Sequence, residues 1–156
     1  MIRLADMNDL KGINVLHEQL HIQHIGYRPD IFAPIEQPVF DTLMIPYIKE
    51  ELKDIVISVN DSVIDGYAAI SVCDTKKGAG EILPFTFIEV NELCVAENAH
   101  RKGIGTALLD AVKKYAKEHG AKFVELGVQA QNTGAQEFYK ANGMTVKNLK
   151  MQYKIQ

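Results

Sequence analysis

Residues Val90–Gly120 read VNELCVAENAHRKGIGTALLDAVKKYAKEHG, and the rest of the chain is organised around this stretch. An apolar strand passes through a short polar loop and two glycines, Gly103 and Gly105, into an amphipathic helix. Ile104, Ala107, Leu108, Ala111, Val112 and Tyr115 recur at helical spacing and form one apolar stripe. Lys113, Lys114 and Lys117 gather toward the helix end, where cations suit the dipole, and Gly120 supplies the stop. The first helical turn leaves backbone N–H groups unpaired, and the dipole adds positive potential there. Such a junction is an anion site, so a phosphate-bearing ligand is expected at Arg101–Thr106. On glycine spacing alone, a plain strand–helix turn with solvated basic residues explains these positions equally well.

The flanking sequence sets the sheet around this unit. Phe123–Val128 reads as a strand close behind the helix, as in a βαβ unit, and is expected parallel to the strand before it. Asn132 caps a further helix over Thr133–Asn142, closed by Gly143, and Met144–Ile155 reads as a last strand region. Upstream, Met1–Ala5 alternates as a short strand. Asp6 or Asn8 then caps a helix over Asp9–His24 that turns Leu10, Ile13, Leu16 and Leu20 inward. Pro29 ends that helix near Arg28, and a second helix covers Val39–Leu52 with a kink or break at Pro46. Ile55–Val59, a turn at Asn60-Asp61, Val63–Val72, a loop tip at Lys76–Gly80 and Phe85–Val95 give three consecutive antiparallel strands. Gly66 marks a bulge or a close approach. Repeats and linkers are absent from the reading, and residues 1–156 are expected to form one domain.

Composition narrows the function. Seventeen Lys and Arg against 20 Asp and Glu give a net charge of −3, which argues against general nucleic-acid binding and suits amines or cationic partners better. Cys73 and Cys94 lie in apolar runs without metal-type spacing and read as buried free thiols of a reducing cytosol. Asp6, Asp9 and Lys11 interrupt the first residues too early for a signal peptide, and no run is long enough for a membrane span, so a cytoplasmic protein is expected. His17, His21 and His24 fall on one side of the first helix at i, i+4 and i+7. No cysteine or carboxylate shares that side of the helix, so they read as a solvated or substrate-facing flank, and no metal is expected.

Two phosphate-binding patterns can be set aside. A dinucleotide fold wants a third glycine where Leu108 stands, and an early βαβ unit. A P-loop wants Gly-Lys-Ser/Thr, whereas Gly105 is followed directly by Thr106. What remains resembles the GNAT superfamily of acyl-CoA-dependent N-acyltransferases. Its strand, Leu-x-Val-like run and Gln/Arg-x-x-Gly-x-Gly/Ala signature is matched by ELCVAENAHRKGIGTALL, Glu92 to Leu109. Its Asn-x-x-Ala-x-x-Phe-Tyr run is matched by NTGAQEFYKANGM, Asn132 to Met144, with Thr106 and Asn132 26 residues apart. One departure is His100, where the family carries Gln or Arg, with arginine displaced to Arg101.

The resemblance implies an α+β fold: a mixed, mostly antiparallel sheet of six to seven strands flanked by about four helices. It implies an N-acetyltransferase using acetyl-CoA without a metal, acting on a small-molecule or peptide amine by direct attack in a ternary complex, with a homodimer as a further expectation. By position, the backbone of Leu93, Cys94 and Val95 pairs with the pantetheine arm. His100, Arg101, Lys102, Gly103, Ile104, Gly105 and Thr106 form the pyrophosphate cradle, and Asn132 holds the cofactor. Tyr139 protonates the departing thiolate; taken alone, beside Phe138, it reads as a core aromatic, and its place in the second motif reverses that. The base is Glu92, with Glu89 or water as alternatives. The two glutamates are an odd number apart and face opposite sides of a regular strand, unless a bulge intervenes. Tyr27, Arg28, Asp30 and Phe32 are placed at the acceptor. A cysteine intermediate is disfavoured, since Cys94 has no histidine beside it. The rival readings are a non-catalytic acyl-CoA-binding module and a nucleotide-binding protein using the same turn.

Overall fold

A computed structural model of the chain describes residues 1–35, 37–75 and 80–155. Five strands form one sheet in sequence order: β1 (Ile2–Leu4), β2 (Lys53–Asn60), β3 (Val63–Asp74), β4 (Thr86–Val95) and β5 (Phe123–Leu126). Pairing is antiparallel up to β4, and β5 joins β4 in parallel. Helices α1 (Leu10–Tyr27) and α2 (Gln37–Lys49) precede the sheet's central strands, α3 (Ile104–Glu118) connects β4 to β5, and α4 (Thr133–Ala141) follows.

The sheet is apolar on both faces because β2, β3 and β4 alternate two apolar sets. Ile55, Ile57, Tyr67, Ala69 and Cys94 pack with Ile13, Leu16 and Leu20 of α1 and Met44 of α2. Val56, Ala68, Ile70, Ile88 and Val90 meet Leu108, Val112 and Ala116 of α3 on the other side. This period-two division explains the near-continuous hydrophobic runs in these strands. On α3 the buried stripe is rotated from the expected one: Ala107 is exposed, while Leu109 and Ala116 are inside.

Local chemistry sets the element ends. Asp6 caps a short 3-10 turn (Met7–Asp9) leading into α1 through a capping box: Asp6 Oδ1 accepts from Asn8 N–H at 2.7 Å and Asp9 Oδ2 from Asp6 N–H at 2.9 Å. The β2–β3 hairpin turns at Asp61 and Ser62, one residue later than read from the sequence. Both have positive φ, 47° and 65°, as a twist-matched two-residue turn requires. Helices α3 and α4 end alike. Gly120 and Gly143 take positive φ, Ala121 N–H bonds Ala116 O, and Met144 N–H bonds Tyr139 O.

Several expectations are corrected. Helix α1 runs on through Gly26 to Tyr27, and α2 passes unbroken through Pro46, with Glu50 N–H donating to Pro46 O at 2.9 Å. Helix α2 stops at Lys49, and Leu52 has φ 66°. Among the described residues the sheet has five strands rather than six or seven, and residues 145–155 form no strand. Most of the Lys76–Gly80 loop tip lies outside the described residues.

Candidate active site

The loop between β4 and α3 is shaped by its backbone. Arg101 and Gly103 both adopt positive φ, 62° and 78°, and Gly103 serves as the N-cap of α3 without any side-chain cap bond. Among the described residues, the N–H groups of Arg101, Lys102, Gly103, Ile104, Gly105 and Thr106 have no acceptor, and the first ladder bond is Ala107 N–H to Gly103 O. A row of free donors at a helix N-terminus is thus open to an anion. Arg101 and Lys102 are exposed beside it. His100 turns away from the row, its Nε2 3.0 Å from Val95 O, and closes the loop onto the strand end.

Two glycines let the elements converge there. A Cβ on Gly66 would lie 2.9 Å from Ile104 Cγ2 and from Leu108 Cδ1, so β3 can approach α3 only without one. A Cβ on Gly105 would stand 3.1 Å from Phe138 Cζ. The two sequence motifs, distant along the chain, therefore meet at the Gly105–Phe138 contact.

Strands β4 and β5 pair only from Phe87 with Phe123 to Val90 with Leu126. Beyond Val90 the strands part, and β4 carries a bulge: Ile70 opposes Val90 and Ala69 opposes Glu92, leaving Asn91 extra. Ala96 N–H bonds Asp65 O across the β3 ladder. By alternation, the main-chain groups of Val95 and Leu93 point into the gap and those of Cys94 point back to β3. The expectation that all three share a strand-like pairing is thus divided. Leu93 and Val95 face the opening, and Val95 O already accepts from Gln19 Nε2 at 3.0 Å.

The bulge also decides the orientation of the two glutamates. Ile88 and Val90 pack toward α3, whereas Glu92 reaches Tyr67 of the core beneath α1 and α2. Glu89 points to the same side, with Oε2 3.9 Å from Cys73 Sγ. One inserted residue reverses the parity, so Glu89 and Glu92 share a face.

Glu92 is held by partners from two elements. Tyr67 Oη donates to its Oε2 at 2.6 Å, and His17 Nε2 of α1 stands 3.3 Å from Oε1. Burial and the adjacent Glu92 carboxylate push the Tyr67 phenol well up, so it keeps its proton for this bond. His17 is 5% exposed and packs edge-on against Phe40, 4.9 Å between centroids. The solvated-flank reading of the histidines therefore fails at His17, because α2 covers it. His21 and His24 contact Phe32 at 6.2 and 5.2 Å, and burial lowers the His24 pKa. His17 and Tyr67 were missed as site residues. The i, i+4, i+7 spacing shows a shared helix side but not what covers it.

Burial pushes the phenol of Tyr139 on α4 up to about 12, with Cys94 adding to the effect. Burial likewise pushes the Cys94 thiol up to about 12, with Glu92 and Glu97 adding to the effect, so it stays an inert thiol. Asn132 caps α4, its Oδ1 accepting from Ala135 N–H at 3.0 Å, which gives it a structural duty of its own. Tyr27 ends α1. Arg28 is engaged by Asp30 through two bonds, 2.9 and 2.8 Å, so its guanidinium is not free. Among the described residues, no group of three His, Cys, Asp or Glu stands close enough to hold a metal ion. A surface depression of about 490 Å³ between Ile48–Asp54 and Tyr115 is lined by none of these residues.

Residues 23–144 match the Acetyltransferase (GNAT) family, a span that includes both motifs and the whole sheet except β1. The chain belongs to this family. Over 61 residues the chain is 43% identical to the uncharacterized N-acetyltransferase MJ1207 of Methanocaldococcus jannaschii, covering 39% of this chain and 27% of that protein. A further 41% identity over 54 residues links it to the uncharacterized N-acetyltransferase YhfO of Bacillus subtilis, 35% of this chain and 36% of YhfO. Well under half the length of either relative is therefore matched. A mutant of the BH1408 protein from Bacillus halodurans superposes with a TM-score of 0.94 at 26% identity, over 100% of this chain and 99% of that one. Aminoglycoside N-acetyltransferase AAC(6')-Iy in complex with CoA superposes with a TM-score of 0.77 at 18% identity, over 99% and 93% of the two chains. That last likeness is one of fold. The GNAT domain has four α-helices on a mixed sheet, and no helix among the described residues is long and apolar enough to cross a membrane.

Proposed function

We propose that this GNAT chain is an acetyl-CoA-dependent N-acetyltransferase acting on a primary amine, small-molecule or peptidic, as a single domain in the cytoplasm. One observation carries the reading: beyond the Asn91 bulge β4 parts from β5, and this unpaired stretch of β4 runs from Glu92 toward the loop whose row of free N–H donors opens α3. The site fits a long ligand with phosphate at one end and a reactive group at the other. Acetyl-CoA supplies the acyl group as a thioester. AAC(6')-Iy has also been solved with a bisubstrate analogue, CoA-S-monomethyl-acetylneamine, on the same fold.

Each residue then has a physical task. The N–H groups of Arg101–Thr106 bind the pyrophosphate, and Leu93 and the Val95 N–H pair with the pantetheine amides. Glu92 accepts the proton an ammonium acceptor must lose before its nitrogen attacks the thioester carbon, directly or through one water. Tyr67 and His17 fix that carboxylate, and Glu89 on the same face adds negative potential for a cationic acceptor. As the C–S bond breaks, Tyr139 donates a hydrogen bond to the leaving sulfur. Its pKa of about 12 against roughly 8.5 for a thiol makes full transfer uphill, so the phenol stabilises the thiolate and solvent supplies the final proton. Tyr27 and Phe32, with the Arg28–Asp30 pair, wall the acceptor side.

An amine-panel assay following free thiol release tests the reading. Acetyl-CoA consumption dependent on one amine class is the expected result. Tight CoA binding without turnover on any amine would instead make the chain a binding module.

A further inference from the structure

The bulge that turns Glu92 toward α1 and α2 has a fastening of its own. Val90 and Leu93 both pack on the α3 side, so Asn91 and Glu92 between them share the opposite face. Strict alternation would instead send Glu92 the way of Ile88 and Val90, into the apolar layer under α3. The apolar pattern thus confines the extra residue to one place. It does not fix the aim of the side chains there, because Asn91 has no partner in the β3 ladder.

That aim is set from β3. Ser71 follows Tyr67 and Ala69 at two-residue spacing, so it stands on the same face as Glu92. Its register partner is Glu89, yet its Oγ–H donates diagonally to Asn91 Oδ1 at 2.8 Å. The bond ties the residue outside the ladder to the strand that also carries Tyr67, whose Oη holds Glu92 at 2.6 Å. Two adjacent residues of β4 are therefore each fastened to β3, Asn91 at Ser71 and Glu92 at Tyr67. Ser71 itself is half-buried. Tyr47 of α2 shares these surroundings: burial pushes its phenol up, Glu92 and Glu89 add to this, and Lys53 and the Ser71 hydroxyl pull it down.

We infer that Ser71 and Asn91 are positioning residues, whose hydrogen bond holds the β4 bulge in the conformation that presents Glu92 to Tyr67 and His17. The inference rests on the reading of Glu92 as the base and adds two residues that act through it.

Ser71→Val and Ser71→Thr test it, since they differ in a hydroxyl at nearly equal shape and both suit a strand. One readout is the carboxyl-carbon NMR resonance of Glu92, assigned by its loss in Glu92→Gln. The other is kcat with acetyl-CoA and the amine found in the panel. Ser71→Val should move the resonance and lower kcat roughly 10- to 100-fold at unchanged CoA affinity, as expected of a slightly misplaced base. Ser71→Thr should match the wild type in both. Asn91→Ala should reproduce the valine variant, and the double variant Ser71→Val, Asn91→Ala should be no worse than the worse single, because the same bond is lost in each. A resonance unmoved by Ser71→Val overturns the inference, whatever happens to kcat. So does a threonine variant that behaves like the valine one, and so do additive losses in the double variant. A wild type that acetylates no amine sinks the transfer reading instead, and the resonance then decides alone whether Ser71 and Asn91 place Glu92.

Discussion

Glu92 is positioned before any ligand arrives, by a phenol from β3 and an imidazole from α1. Such preorganisation is what a general base needs, since a wandering carboxylate loses both geometry and rate. Glu92→Gln keeps the shape and removes the basicity, so kcat should fall by roughly 10²- to 10⁴-fold while CoA affinity by calorimetry stays the same. A drop in both would assign Glu92 to binding. Tyr139 carries a pH prediction. Burial raises its pKa from the ordinary 10 to about 12, so over that interval the unfolded chain gives up a proton the folded chain retains. Its contribution to stability is therefore complete below about pH 10 and is lost as pH rises toward 12. Chemical denaturation across that range should show a smaller alkaline loss in Tyr139→Phe, which should also lose turnover but keep CoA affinity. From the sequence, Glu92 and Tyr139 are legible by motif position. Their partners are not, because Tyr67 and His17 lie 25 and 75 residues from Glu92 in sequence and meet it only across packed elements.

At the scale of elements, the glycine turn works because neighbouring elements come close to it. Gly66→Ala would push a Cβ to within 2.9 Å of Ile104 and Leu108, and overpacking of this kind costs about 1–3 kcal/mol. Because the displaced element is the one whose N-terminus is the proposed cradle, thermal unfolding should show the loss and CoA affinity should weaken with it. An unchanged affinity at lowered stability would detach the cradle from α3's position. Asn132→Ala removes the α4 N-cap, worth about 1 kcal/mol. If Asn132 also touches CoA, the variant should lose ligand-induced stabilisation beyond that cap cost. The second motif is thus readable twice, as helix chemistry and as ligand chemistry. Its Asn and Gly positions bound α4 by ordinary capping, whatever the ligand.

The whole molecule is a sheet with a core on each face, and its stability should reflect both. Ile57→Ala beneath α1 and Leu108→Ala on the inner face of α3 each empty a fully buried site, and each should cost about 2–5 kcal/mol in urea unfolding. A much smaller cost on one side would mean that face is the softer half of the fold. The order and type of nearly all the elements follow from local signals: period-two runs for β2–β4, the stripe of α3, positive-φ glycines closing α3 and α4, and the two motifs flanking the cradle. Those signals are local because a helix or a turn answers to residues only a few positions away. What the sequence by itself left open depends on which surfaces meet. The Asn91 bulge that turns Glu89 and Glu92 to one face is a property of pairing with β3, not of β4 alone. Burial of His17 awaits α2, and the passage of α2 through Pro46 awaits the core beneath it. The alternating residues of 149–155 carry a strand's pattern, but a strand needs an edge to lie on, and only the tertiary structure shows that this chain leaves its own β5 edge uncovered.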